Sequence, residues 1–127
     1  MTTTEATPDT SLGTLLLRSA RTPHRIAATQ ALVDEETLLG LPQVSAALVV
    51  EEDGVPTCRW EGLAGKLYTL GLTSQQRDFL GLVLGMVGIG TSTLATIGDL
   101  DDRHLMILMR AIPRLAGNDR IAVGTRM

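Results

Sequence analysis

The stretch that decides the fold class is VSAALVVEEDGVPTCRW, residues 44–60. Residues 44–50 are rich in small and β-branched side chains and are typical of a strand. Acidic residues and the pair Asp53-Gly54 follow, and an Asp-Gly pair between two strand-like runs favours a tight hairpin turn. Pro56 places the returning strand near a sheet edge, because proline cannot donate a backbone hydrogen bond. We therefore predict one β-hairpin around residues 44–61.

Helix signals dominate on both sides of this hairpin. Residues whose side chains cap helices precede four apolar stretches, and helices are expected to run from them to about residues 20, 33, 87 and 115. These capping residues are Ser11, Thr22 (followed by Pro23), Thr73 or Ser74, and Asp99 or Asp101. Residues 92–98 fit either a short helix or a strand, and residues 121–123 fit a short terminal strand. The sequence predicts a mostly helical α+β fold of four to five helices.

In the last helix, Pro113 must kink or end the helix, because proline lacks the amide hydrogen. The apolar residues of this helix are expected to face inward. They are Leu105, Leu108, Met109, Ile112 and Leu115.

Length and composition indicate one domain in a reducing compartment. The 127 residues fit a flexible tail at 1–11 and a single globular domain at 12–127. The single cysteine excludes an internal disulfide and favours a cytoplasmic location. No apolar run reaches the length of about 20 residues that a membrane span needs. Arginine supplies all but one of the basic residues, a usage typical of a GC-rich bacterial genome.

The helix after Thr73 is apolar on more faces than a small monomer easily covers. Gly81 and Gly85 allow close approach of another helix, and with Met86 and Ile89 they form the predicted interface. The mean hydropathy of +0.19 is also high for this length. Because an extended apolar surface often marks an interface, we predict a non-enzymatic adaptor or regulatory module that binds protein and forms a homo-oligomer, such as a homodimer.

A second predicted surface is basic. Arg18, Arg21 and Arg25 form the main basic cluster, which could be a solvated face or a docking site for phosphate or an acidic partner. The net charge of −3 argues against a nucleic-acid partner, because a protein that wraps nucleic acid usually carries a basic face large enough to show in the total charge.

Reactive side chains are scarce, and no catalytic, cofactor-binding or metal site is predicted. Cys58 and His104 would be the reactive groups if the protein were an enzyme of unknown class. Asp101 and His104 share a helix face, which fits a carboxylate–imidazole pair better than a metal site with too few ligands. Residues 85–92 are glycine-rich but lack the lysine of a phosphate-binding loop.

Residues 80–99 resemble a helix-turn-helix motif. Gly88 falls where that motif has its turn glycine, and Ile89, Leu94 and Ile97 fall at its hydrophobic positions. The resemblance implies a small DNA-binding regulator as the alternative function, with a reading helix over residues 91–100. That segment departs from the motif because it has no Arg, Lys, Asn or Gln to contact bases or phosphates.

Residues 38–57, LLGLPQVSAALVVEEDGVPT, resemble the opening of roadblock-type domains. There a short helix leads through a Leu-Pro/Gly-Val step into a strand, an acidic turn and a second strand. The resemblance implies a homodimeric adaptor that scaffolds small GTPases. The rest of the chain is richer in helix signals than that family requires.

Overall fold

The computed structural model describes residues 11–90, 92–118 and 120–121, and within them the chain folds into six α-helices and one antiparallel hairpin. The helices are α1 (Leu12–Ser19), α2 (Pro23–Glu35), α3 (Pro42–Leu48), α4 (Trp60–Ala64), α5 (Ser74–Met86) and α6 (Asp102–Leu115). The strands are β1 (Val49–Glu52) and β2 (Val55–Cys58). Two 3-10 turns span Leu67–Thr69 and Leu94–Asp99. The predicted mostly helical α+β fold is confirmed.

Side-chain caps begin the four long helices where the sequence predicts them. The Ser11, Thr22 and Thr73 hydroxyls and the Asp101 carboxylate each accept a hydrogen bond from a backbone amide in the first turn. At α5 the cap is reciprocal, because the Gln76 side chain also accepts from the Thr73 amide at 2.9 Å. The local sequence therefore fixes where these helices begin.

The hairpin is shorter than predicted, because residues 44–48 belong to α3 and not to a strand. Pro42 occupies the first helical position, where its fixed φ angle and missing amide are tolerated. Val44, Ala47 and Leu48 then recur at helical spacing and are buried. Burial on one helical face therefore overrides the strand propensity of this run. Helices α3 and α4 are the two that the sequence did not predict.

The turn itself forms as the Asp-Gly pair indicates. Val49 pairs with Cys58 and Glu52 pairs with Val55, so a two-residue turn joins the strands. Asp53 and Gly54 have φ angles of 56° and 78°, as a type I′ turn requires.

The core is one apolar cluster to which α2, α3, α4, α5 and α6 contribute. Helix α2 packs against α1, α5 and α6, while α1 also covers β2. Gly62 allows α4 to approach α3 closely, because a Cβ atom at this position would lie 2.6 Å from the Ala47 carbonyl oxygen. The largest side chains in the core include Trp60, Phe79, Leu32, Leu38, Leu48 and Leu80.

Three further expectations concern the two ends of the chain and the connection between α5 and α6. Residues 92–98, ambiguous from sequence, contain the start of the 3-10 turn Leu94–Asp99. The predicted tail at 1–11 lies outside the described residues except for Ser11, and the predicted strand at 121–123 does so except for exposed Ile121.

Candidate functional site

One face of α6 presents apolar side chains to solvent. Met109 is 44% exposed, Ile112 is 49% exposed and Leu105 is partly buried. These residues recur at intervals of four and three, which places them on one side of the helix. The expectation that Met109 and Ile112 face inward is therefore wrong. The inward face of α6 is formed by His104, Ile107, Leu108 and Ala111.

A groove of about 230 Å³ adjoins this face, between α5, α6 and the second 3-10 turn. Leu94 stands at its edge with 80% of its surface exposed. Ile97, Ile112 and Leu115 line the groove together with Met86 of α5. We call the exposed face of α6 and this groove the α6 apolar surface. A contiguous exposed apolar patch often marks an interface.

The four residues of the predicted interface are divided by the structure. Gly85 is exposed and lines the groove with Met86, so these two lie on the α6 apolar surface. Gly81 is buried, where a Cβ atom would collide with the Ser92 hydroxyl, so it serves packing inside the molecule. Ile89 is half-buried and packs against the core.

A buried polar cluster joins the carboxyl end of α2 to the start of α6. The Glu35 side chain is 1% exposed and lies 3.1 Å from His104 Nε2 through its Oε2 atom. On the other side of the ring, His104 Nδ1 lies 2.8 Å from Asp101 Oδ1. The ring also packs on Phe79, with 5.0 Å between centroids. Both imidazole nitrogens are therefore occupied by carboxylates, and neither is free to act on a substrate.

Glu35 is held ionised despite its burial. Burial by itself raises a carboxyl pKa, but four donors outweigh it and lower the pKa of Glu35 below its ordinary value. The Thr37 hydroxyl donates at 2.6 Å, the Leu38 amide donates at 2.8 Å, and the His104 and Arg103 side chains add to them. The Asp101 pKa is lowered chiefly by the hydrogen bonds it receives from the backbone amide and side chain of His104.

Arg103 completes the cluster from the solvent side. Its guanidinium lies 3.4 Å from the Glu35 carboxylate and also donates to the Glu35 backbone carbonyl, an acceptor at the last turn of α2. The cluster thus caps α2 and fixes the position of α6. The Asp101–His104 pair was predictable from the sequence, whereas Glu35 gave no such signal, because its partner lies 69 residues away in the chain.

Cys58 lies apart from this cluster, at the end of β2 beside Thr29 and Arg25 of α2. Burial raises the pKa of the thiol to about 11, which the Thr29 hydroxyl and the Arg25 charge only partly oppose. Because the thiolate is the nucleophilic form, a pKa this high makes Cys58 a poor nucleophile near neutral pH. The structure does not bring Cys58 and His104 together into a catalytic pair within the described residues.

The three arginines of the predicted basic cluster do not share one helix face. Arg18 lies in the last turn of α1, Arg21 in the connection to α2, and Arg25 in the first turn of α2. Pro23 begins a new helix, so the three-and-four spacing has no continuous helix to act on.

The segment that resembles a helix-turn-helix forms the turn but not a reading helix. Gly88 has a φ angle of 78° after α5, as a tight turn needs. The residues that follow form the six-residue 3-10 turn Leu94–Asp99. DNA binding stays a prediction that no observation supports further.

The described residues show neither a metal-binding cluster nor a membrane-spanning helix. They contain no group of three or more His, Cys, Asp or Glu side chains arranged to hold a metal ion. Within the same ranges, no helix has both the length and the apolar character needed to cross a membrane.

Comparison of the chain with protein-family models, with curated proteins and with solved structures finds no match.

Proposed function

We propose that the protein is a non-enzymatic interaction module that self-associates through the α6 apolar surface. The observation that carries this proposal is the adjacent exposure of Leu94, Met109 and Ile112 along one groove and helix face. Complete burial of such a side chain contributes roughly 1.5–3 kcal/mol. Covering three partly exposed ones in each protomer therefore gives a substantial driving force for association.

An antiparallel pairing of two α6 helices is compatible with a second copy as the occupant, because antiparallel helices place their dipoles in the favourable relative direction. Arg110 and Arg114 take no part in this pairing, since they line a groove on another side of α6. A twofold axis through the middle of α6 generates this arrangement from identical surfaces.

The test is the molar mass measured by size exclusion with light scattering over a wide concentration range. We expect the wild-type protein to be a dimer, and Met109→Glu and Ile112→Glu to be monomers, because each places a charge in the contact. Ala46→Glu is the matched control, since Ala46 is an exposed helical residue of α3 that does not line the groove. Its dimer should persist.

Gly85→Glu adds an independent probe of the groove. A Cβ atom at Gly85 meets no atom within 4 Å and the position is exposed, so we expect the substitution to leave the fold of the monomer intact. We expect it to weaken the dimer while circular dichroism stays unchanged. A wild-type protein that is monomeric at every concentration would refute the proposal, as would a dimer indifferent to all three charges.

A further inference from the structure

A second groove lies on another side of α6, where its last two turns face the first turn of α2. Its volume is about 590 Å³, within the range of about 300–1,000 Å³ typical of ligand sites. Aliphatic side chains from three segments form its apolar part: Pro23 and Ile26 of α2, Pro113 of α6, and Ile121 near the end of the described chain. The Ile26 side chain is 40% exposed.

Two arginines supply the charge of this groove. Arg110 and Arg114 lie one turn apart on α6, and no described residue that lines the groove is acidic. Arg114 is held by Asp34 of α2 at 3.5 Å. Arg110 has no ion pair with any described residue, although the protein as a whole has a net charge of −3. The groove is therefore a local site of positive charge in an acidic protein.

We propose that this groove binds a peptide segment in which acidic residues alternate with aliphatic ones. The acidic side chains would pair with the guanidinium of Arg110 and the exposed part of Arg114, since arginine binds carboxylates through two parallel hydrogen bonds. The aliphatic side chains of the peptide would pack on Ile26 and the two prolines. The site is too large for a lone inorganic anion, and its described lining holds no aromatic ring on which a nucleic-acid base could stack.

The probe is a fluorescein-labelled peptide of alternating Glu and Leu, titrated with the full-length protein at low salt and followed by fluorescence anisotropy. We expect saturable binding that weakens as salt rises. Replacing every Glu of the peptide by Gln should abolish it. Arg110→Glu should weaken binding by about tenfold or more, because it replaces an attractive interfacial charge by a repulsive one. Ile26→Ser should weaken it through lost apolar contact.

Arg59→Glu is the matched control, because it makes the same change of charge at an exposed position outside the groove. Its affinity should stay within about twofold of wild type, as expected for a distant screened charge. Equal loss in Arg59→Glu and Arg110→Glu would overturn the site. A single-stranded oligonucleotide that binds more tightly than the peptide and depends on Arg110 would overturn the peptide in favour of nucleic acid. Molar mass measured on the same samples shows whether the protein still self-associates. Loss of peptide binding can therefore be distinguished from failure of the proposed dimer.

Discussion

Adjacent carboxylates at the end of α2 provide a test of how the helices are held together. Glu35 is buried and accepts hydrogen bonds from Thr37 and Leu38, while it also faces His104. Asp34 is half-exposed and makes one ion pair at 3.5 Å. Glu35→Ala and Asp34→Ala each remove one negative charge at neighbouring positions. The two variants therefore differ only in the burial and the partners of the carboxylate that is lost.

The expected magnitudes follow from those partners. Removing Glu35 leaves the buried His104 imidazole and three other donors without this acceptor, and breaking a buried pair in this way costs about 3–5 kcal/mol. An exposed pair such as that of Asp34 contributes about 0–1 kcal/mol. Because a domain of this size has a free energy of unfolding of about 5–15 kcal/mol, the first change removes a large fraction of it.

The assay is urea unfolding followed by the fluorescence of Trp60, the single tryptophan, which is buried in the core. We expect the unfolding midpoint of Glu35→Ala to fall far below that of Asp34→Ala. The slope of the unfolding free energy against urea concentration should be similar in the two variants. If the two variants lose the same free energy of unfolding, and that loss is below about 1 kcal/mol, the cluster does not hold α2 to α6 as described.

Three further predictions rest on single features. Because the folded-state pKa of Glu35 is lowered, its stabilising contribution is present above the ordinary carboxyl pKa of about 4.3 and is lost as the pH falls through lower values, so Glu35→Gln should flatten the acid limb of a stability–pH profile. Gly62→Ala should lower the melting temperature, because its Cβ would press on the Ala47 carbonyl, whereas Gly85→Ala should leave the monomer as stable or raise its stability by up to about 1 kcal/mol. With a pKa of about 11, Cys58 should react with a thiol reagent at pH 8 much more slowly in the folded protein than in urea; equal rates would contradict the raised pKa.

The sequence predicted the helices whose first residues are fixed by local capping interactions. Thr22 and Thr73 mark helix starts because each hydroxyl accepts a hydrogen bond from a backbone amide only three residues away. The Asp53-Gly54 turn is predictable for the same reason, since positive φ angles at adjacent residues are a local property. The strand predicted over residues 44–48 failed because its residues fit either a strand or a buried helical face, and contact with the rest of the core decided in favour of the helix.

The α6 apolar surface was likewise predicted in part from the sequence and in part only visible in the structure. Sequence identified Gly85 and Met86 on a helix with excess apolar faces, and both line the groove. It could not identify Leu94 or Ile112 as exposed, because an apolar residue in an amphipathic helix gives no sign of which neighbour covers it.

By itself the sequence determined the capped helix starts, the tight turn and the mostly helical class, since each follows from interactions between residues a few positions apart. Tertiary structure alone decided that Glu35 meets His104 across 69 positions, that the thiol of Cys58 is half-buried with a raised pKa, and that the described residues leave one side of α6 uncovered. These features depend on which helix packs against which, and that choice is made by the burial of the whole core.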